Sequence, residues 1–455
     1  MKAISLAEYF ELHRYRTSVR TEVLAGATTF LAMAYIILVN PSILYSPNAI
    51  WGQGGIPFGP VIIATIVSAG LATLITGIYA RKPFAMAPYM GENALFAFSI
   101  IPLLISAGYS GDDLWRLALG AVFWGGVVFL IVSVTGIRAI MARAVPMPLA
   151  LSWGVGIGLF LMFIGFANAG IAVAGVGTPV KIGNLASTRA LVAIAGTAIT
   201  LALYLRRVPG SILLGILITM AIAAAAGIPA VHPEAQLGFP NWGEILGKLD
   251  LVGALRVPQL IPIIALLFLV DIFDTLGTVA GLGAKAGYVD EKGRIVGVDR
   301  VFHVDALATV LGAVFGTSTT GTYIESAAGI EMGGRTGLTA VVTGLLFLVC
   351  LPLVPFISML DPGFLTLAGA PALIVVGIIM LSVLGKINLE DPLQVVPLAI
   401  TVGFMVFTYN ITLGIAASLV TYPLVAVAMG RAKEVHPVAW VLVALSLALF
   451  VMYPY

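Results

Sequence analysis

The sequence predicts an all-α polytopic membrane protein of about 14 transmembrane segments arranged as a seven-plus-seven inverted repeat. Three observations carry that prediction. First, 60% of the 455 residues are apolar and only 10% are charged, with a mean hydropathy of +1.08, whereas a soluble domain carries about 25% charged residues. Second, the apolar residues gather into segments near the roughly 20 residues that a bilayer core of about 30 Å requires. Third, a polar loop at 227–256 divides the chain after seven such segments. An odd-numbered first half sends the second half into the membrane from the opposite side, a common transporter plan. The composition excludes a soluble enzyme, a nucleic-acid binder and a disordered protein. A formal net charge of +2 is too small to suggest a polyanionic partner.

In chain order, segments are expected near 22–45, 59–80, 84–105, 113–137, 146–168, 188–205 and 208–226, then 257–283, 298–316, 318–330, 336–356, 371–385, 394–409, 411–430 and 438–453. The count is 14 or 15. The ambiguity lies after residue 390, where Tyr409 and Asn410 either break one element or separate two. Lys and Arg mark the cytoplasmic side. They cluster before the first segment (Lys2, Arg14, Arg16, Arg20) and after the second (Arg81, Lys82), fourth (Arg138, Arg143), sixth (Arg206, Arg207) and eighth (Lys285, Lys292, Arg294, Arg300). Arg335, Lys386, Arg431 and Lys433 continue the pattern. All fall on one side if the N-terminus is cytoplasmic, as expected of a multi-pass protein of the cell membrane. Residues 4–16 set Ile4, Leu6, Tyr9 and Phe10 against Glu8, Glu11 and Arg14, the pattern of a short interfacial helix. Residues 1–20 are too polar for a cleavable signal peptide, and the lone Cys350 offers no disulfide framework.

An ionisable residue inside a span costs several kcal/mol on insertion scales and marks a functional candidate. Such residues gather in three places. Residues 87–94 (Ala-Pro-Tyr-Met-Gly-Glu-Asn-Ala) lie in the third segment, where Pro88 and Gly91 disfavour a continuous helix. A helix starting near Gly91 points backbone N–H groups and a positive dipole end into the membrane, beside Glu92 and Asn93; the alternative is a simple kink. In the eighth segment Asp271, Asp274, Thr275 and Thr278 follow i, i+3, i+4, i+7, placing two carboxylates and two hydroxyls on one helical face, with Lys285 further down. Gly277 and Gly281 form a small-xxx-small pair expected to admit another helix closely. In the tenth segment, five hydroxyl residues fall within 317–322, ahead of Tyr323, Ile324 and Glu325. That composition favours an extended stretch with a helix beginning near Glu325, tolerated at membrane depth only inside protein or beside a cavity. Two interrupted segments at corresponding places in two repeats point to a midplane substrate site. Glu22 and Asp305, at segment ends or entries, are expected to be structural, and His303 to pack or hydrogen-bond.

These residues also carry a resemblance. The opening stretch 21–36, with Glu22, Gly26, Thr28, Thr29 and Tyr35, followed by Val39-Asn40-Pro41, resembles the AzgA-like purine permeases of the nucleobase–ascorbate transporter superfamily. Residues 87–94, 271–277 and 319–337 are similar to the same family, and the likeness covers about 20–430. The resemblance implies a core domain (21–145 and 236–356) and a gate domain (146–235 and 357–455) behind a cytoplasmic N-terminal segment, 1–20. It implies short antiparallel strands in the third and tenth segments, and a homodimer. By motif match, Asn93, Asp271 and Glu325 correspond to substrate-contacting positions, with Asp274 close by. Gly91, Ile324 and Phe273 complete the expected substrate site, Phe273 being one of several aromatic candidates for stacking.

A purine nucleobase such as guanine, hypoxanthine or adenine is flat, neutral and rimmed with donors and acceptors. A carboxylate accepts paired N–H groups, and Asn both donates and accepts. Concentrating a neutral solute requires an ion. Burial disfavours a charged carboxylate, so Asp271, Asp274 and Glu325 are expected to share a transported proton, with Na⁺ as the competing ion. No cofactor or metal is expected. The rival readings are an anion transporter of the sulfate or bicarbonate kind, or a uracil or xanthine transporter, on the same fold. An intramembrane aspartyl protease is disfavoured because Gly281-Leu282-Gly283 is followed by Ala284 rather than Asp.

Overall fold

The computed structural model describes residues 5–135, 145–175, 177–232, 237–289 and 295–453. Lys2, Arg138, Arg143, Lys292 and Arg294 of the basic pattern, and Ile4 of the N-terminal one, lie outside them. Helix α1 (Leu6–Tyr9) is a single turn closed by a capping box between Ser5 and Glu8. Phe10 and Leu12 then bury against Leu338. The interfacial helix expected over 4–16 is therefore one turn followed by a docked loop. Glu11, in left-handed backbone at φ 55°, ends it.

The first span consists of two helices, α2 (Val19–Met33) and α3 (Ile36–Trp51). At the junction the ladder shortens: Ile37 N–H donates to Ala34 O at 3.2 Å and Leu38 N–H to Tyr35 O at 3.1 Å. The second is α4 (Phe58–Ile75), prolonged by a π turn to Ala80. Strand β1 (Met86–Pro88) leads into α5 (Met90–Leu95), which runs on through a π turn to Ser106. Next come α6 (Asp113–Thr135), α7 (Met147–Asn168), α8 (Thr188–Leu205) and α9 (Ser211–Ala225), with a small outer hairpin of β2 (Ala172–Val173) and β3 (Lys181–Ile182) between α7 and α8. The second half holds α10 (Leu251–Arg256), α11 (Leu260–Ala286), α12 (Asp299–Phe315), strand β4 (Thr320–Thr322), α13 (Ser326–Glu331) and α14 (Gly337–Val349). It closes with α15 (Pro362–Met380), α16 (Pro392–Phe407), α17 (Ile411–Ala428) and α18 (Pro437–Met452). Helix α15 starts at Pro362, well ahead of residue 371, because Asp361 accepts the Phe364 N–H at 2.9 Å as an N-cap. Tyr409 takes φ 56° and Asn410 caps the next helix through Leu413 N–H at 3.0 Å, so Tyr409 and Asn410 separate two elements, α16 and α17, rather than break one. Asn410 Nδ2 also donates to the Tyr453 hydroxyl at 2.8 Å. That bond brings the end of α18 back to the α16–α17 turn and makes α18 a fifteenth element beyond the paired sevens.

Helix contacts follow the inverted repeat. Helix α14 packs on α2 and α4, and its counterpart α6 packs on α11 and α12. The two long helices α7 and α15 pair across the pseudo-twofold. They approach closely because a Cβ on Gly158 would lie 3.0 Å from Gly377 O, and one on Gly377 2.5 Å from Gly158 O. The same relation holds at single residues. Strands β1 and β4 pair antiparallel, with Met86 opposite Thr322 and Pro88 opposite Thr320. Tyr89 and Tyr323 each follow their strand, stack at 6.0 Å with an 8° interplanar angle, and donate their hydroxyls to Thr322 O (3.1 Å) and Pro88 O (2.5 Å) respectively.

A two-stranded sheet at membrane depth leaves its outer edges unpaired, and each unpaired backbone group there costs several kcal/mol. Neighbouring helices meet that need. Thr73 on α4 accepts the Met86 N–H at 2.9 Å and donates to Met86 O at 3.0 Å. Asp305 on α12 accepts the Thr322 N–H at 2.8 Å. The Thr309 hydroxyl, whose shorter bond goes to Asp271, lies 3.2 Å from Thr320 O. One expectation fails here: Gly277 and Gly281 do not admit a helix. A Cβ at Gly277 would meet nothing within 4 Å, and one at Gly281 only Ile324 Cδ1 at 3.9 Å.

Candidate functional site

The strand pair, α5, α11 and α12 converge on one buried polar cluster. Asp271 is buried on α11 and accepts the Thr309 hydroxyl of α12 at 2.8 Å through Oδ2. One turn on, Thr275 donates to Asp305 Oδ1 at 2.9 Å. Asp305 is fully buried, and its Oδ2 accepts both the N–H and the hydroxyl of Thr322, at 2.8 and 2.6 Å. The carboxylate therefore joins α11, α12 and β4, two turns inside its helix rather than at a span entry as the sequence reading has it. A signal was present: Asp305 and Thr309 repeat, at i and i+4, the acid–hydroxyl spacing of Asp271 and Thr275.

From the other repeat, Asn93 Oδ1 accepts the Ser318 hydroxyl, which ties α5 to the start of β4. Glu92 is buried beside it. Three polar atoms of this cluster stay without a partner among the described residues: Asn93 Nδ2, Glu92 Oε1 and Asp271 Oδ1. One is a donor and two are acceptors, all sealed from solvent, where an unmatched polar group costs about 1–3 kcal/mol. Gly91 sits against Ile157 of α7, whose Cγ2 would lie 3.0 Å from an added Cβ.

Asp274 and Glu325 occupy a different environment. Glu325 Oε1 accepts the Tyr35 hydroxyl at 2.7 Å, so the break between α2 and α3 delivers a side chain to the tenth segment. Asp274 is solvent-accessible, and so are Gly277, Gly281, Ala284 and Lys285 along the same stripe of α11. Ile324, 51% exposed, borders this stripe at Gly281. The stripe ends at an ion pair between Lys285 and Glu331. The exposed stripe thus runs from the basic end of α11 to Asp274, and the carboxylates of Glu92, Asp271, Asp274, Asp305 and Glu325 form a chain in which each lies within electrostatic reach of a neighbour. Phe273 faces elsewhere: it is buried edge-on to Trp153 of α7, with centroids 5.8 Å apart. The structure therefore brings Asn93, Asp271, Asp274 and Glu325 to one site, sets Gly91 and Ile324 at its margins, and directs Phe273 toward α7. Asp305 and Thr309 join the site on the acid–hydroxyl spacing they share with Asp271 and Thr275, and Tyr35, Tyr89 and Ser318 join it through contacts that no local motif encodes.

A family model described as the Permease family matches residues 20–450. The chain is 41% identical to a Methanocaldococcus jannaschii chain named as a permease without a stated substrate, over 98% of each. It is 37% identical to an adenine permease of Escherichia coli, covering 98% of this chain and 96% of that one. It is also 37% identical to a guanine/hypoxanthine permease of Bacillus subtilis, covering 97% and 99%. Among solved structures, the transmembrane domain of a cyanobacterial bicarbonate transporter superposes with a TM-score of 0.60 at 14% identity, covering 88% of this chain and 97% of that one. A murine solute carrier 26 anion transporter in its inward-facing state gives 0.62 at 10% identity, covering 90% and 68%. At such identities the likeness is one of fold.

Proposed function

We infer, from the premise that this chain belongs to the Permease family, that it is a secondary transporter carrying a purine nucleobase across the cell membrane together with a proton. The observation that supports this best is the set of unmatched buried groups, Asn93 Nδ2, Asp271 Oδ1 and Glu92 Oε1. A purine edge presents adjacent N–H donors and ring or carbonyl acceptors. Asp271 and Glu92 accept from the donors, and Asn93 donates to an acceptor. Glu325 completes the ring from the open side, steadied by Tyr35. Gly91 and Ile324 shape the margins, and Phe273 backs the pocket from the α7 side. Several carboxylates gathered at one site repel an anion, which speaks against the sulfate or bicarbonate reading.

Asp274 and Glu325, reached from the accessible stripe, exchange a proton with the aqueous side. Asp271, sealed beneath, holds substrate. In our reading α2, α4, α6, α11, α12, α14 and the strand pair form the core domain (21–145 and 236–356). Helices α7, α8, α9, α15, α16 and α17 form the gate (146–235 and 357–455). This division is supported by how each group packs mainly within itself; the boundary at 235/236 lies outside the described residues. Movement of one group against the other exposes the site to alternate sides. The N-terminus is cytoplasmic and two copies assemble as a homodimer.

Uptake of radiolabelled hypoxanthine and adenine into proteoliposomes tests this. A pH gradient, acidic outside, is expected to drive accumulation. Guanine is expected to compete, and sulfate and uracil to compete far less. Accumulation that persists after the proton gradient is collapsed, or sulfate competing as well as guanine, ends the proposal.

A further inference from the structure

At the basic end of the bundle a recess of about 350 Å³ opens between the N-terminal segment, the end of the second span and the start of α12. Arg14, Arg81, Lys82 and Arg300 line it, against Glu11 and Asp299. Glu11 is engaged by Arg14 at 2.7 Å. The other three cations make no ion pair with a carboxylate among the described residues; aromatic rings face them instead. Lys82 Nζ lies 3.6 Å from the Tyr288 ring centroid, Arg81 4.3 Å from that of Tyr9, and Arg300 5.3 Å from that of Tyr79. Rings satisfy a cation only partly. Lys82 is buried. Its desolvation, with Arg14 nearby, brings its ammonium down to about 8.

Position says what kind of anion fits. The second membrane-crossing segment ends at Ala80, so the recess lies at the membrane boundary. Tyr9 and Tyr79 lie there, the level at which aromatic residues anchor to headgroups. Ile78 and Leu6, about half exposed, present apolar surface beside it. A soluble anion has no use for that surface; a lipid does.

We propose that this recess seats the phosphate of an anionic phospholipid, with Lys82, Arg81 and Arg300 as its charge partners and the acyl chains lying along Ile78 and Leu6. The bound headgroup ties the N-terminal segment to the second span and α12. Binding of fluorescent phosphatidylglycerol to the purified full chain in neutral detergent tests this, with phosphatidylcholine and inorganic phosphate as competitors. The wild-type chain is expected to bind phosphatidylglycerol and to resist both competitors. A Lys82→Gln, Arg300→Gln double variant is expected to lose about fivefold in affinity per charge removed. Lys82→Arg, which keeps the charge, is expected to retain binding, and an unchanged melting profile shows each variant folded. Equal binding by the wild type and a folded double variant overturns the proposal. Phosphatidylcholine competing as well as unlabelled phosphatidylglycerol overturns the charge requirement. Displacement by millimolar inorganic phosphate would assign the recess to a soluble anion instead.

Discussion

Three buried carboxylates show how one residue type does different work according to its partners. Glu22 accepts the backbone N–H groups of Arg335, Thr336 and Thr339, at 2.9, 3.2 and 3.2 Å, and the Thr339 hydroxyl at 2.5 Å. It serves as the anion at the N-terminus of α14, where dipole and orphan N–H groups favour negative charge. Glu22→Ala is expected to lower stability by about 2 kcal/mol or more, read as a fall in melting temperature in detergent, while substrate affinity of the folded fraction holds. Asp305 has all its contacts made, to Thr275 and Thr322. Asp305→Ala leaves a buried backbone N–H and two hydroxyls unmatched, and about 3 kcal/mol of stability is expected to go with them. Asp271 differs because one oxygen has no protein partner. Asp271→Asn keeps the shape but replaces an acceptor with a donor. Melting temperature is expected to stay within a few degrees while purine affinity falls about tenfold or more, the worth of a charged hydrogen bond. Equilibrium binding of radiolabelled hypoxanthine separates the two variants; a loss of stability without a loss of affinity in Asp271→Asn would move the site elsewhere.

The strand pair is where sequence and fold agree most closely at the level of elements, and the agreement has a physical basis. Pro88, Gly91 and the hydroxyl run 317–322 are poor helix formers, so the interruptions at the third and tenth segments were legible locally. The break between α2 and α3 was not. Ala34 and Tyr35 carry no helix-breaking chemistry, and what accompanies the break is tertiary: the Tyr35 hydroxyl reaches Glu325, 290 residues away. The same reason hid Asp305, whose partners come from other helices. Conversely, Gly277 and Gly281 read as a packing seam, yet they line open space, because small residues clear a passage as readily as they admit a helix. Inside the strand pair, Gly321 is the position with least tolerance. An added Cβ would lie 2.5 Å from Asp305 Oδ1 and 2.5 Å from the Tyr89 hydroxyl. Gly321→Ala is expected to disrupt both the Asp305 clasp and the Tyr89–Tyr323 stack. Transport is then expected to be lost even where the protein reaches the membrane, measured as uptake per surface-labelled molecule.

At the scale of the molecule, the site is one-sided in this conformation although the two repeats are related by inversion. The two repeats contribute equivalent strands and tyrosines, but the exposed stripe beside the site runs along α11 of the second repeat, from Asp274 to Lys285. Its direction follows the basic end of the bundle, where Lys285 and Glu331 pair. Cysteine accessibility reads that direction. The chain has a single native cysteine, half-buried Cys350, whose thiol contacts Leu346 O at 3.4 Å, so Cys350→Ala supplies a clean background. Gly277→Cys places a thiol where nothing crowds it within 4 Å. A membrane-impermeant maleimide is expected to label it in inside-out vesicles and not in right-side-out ones, and hypoxanthine is expected to slow the labelling because the ligand sits at the head of the same path. Labelling from outside, with the inside protected, would mean that the stripe opens to the other face and that the N-terminus lies across the membrane from where the basic residues put it.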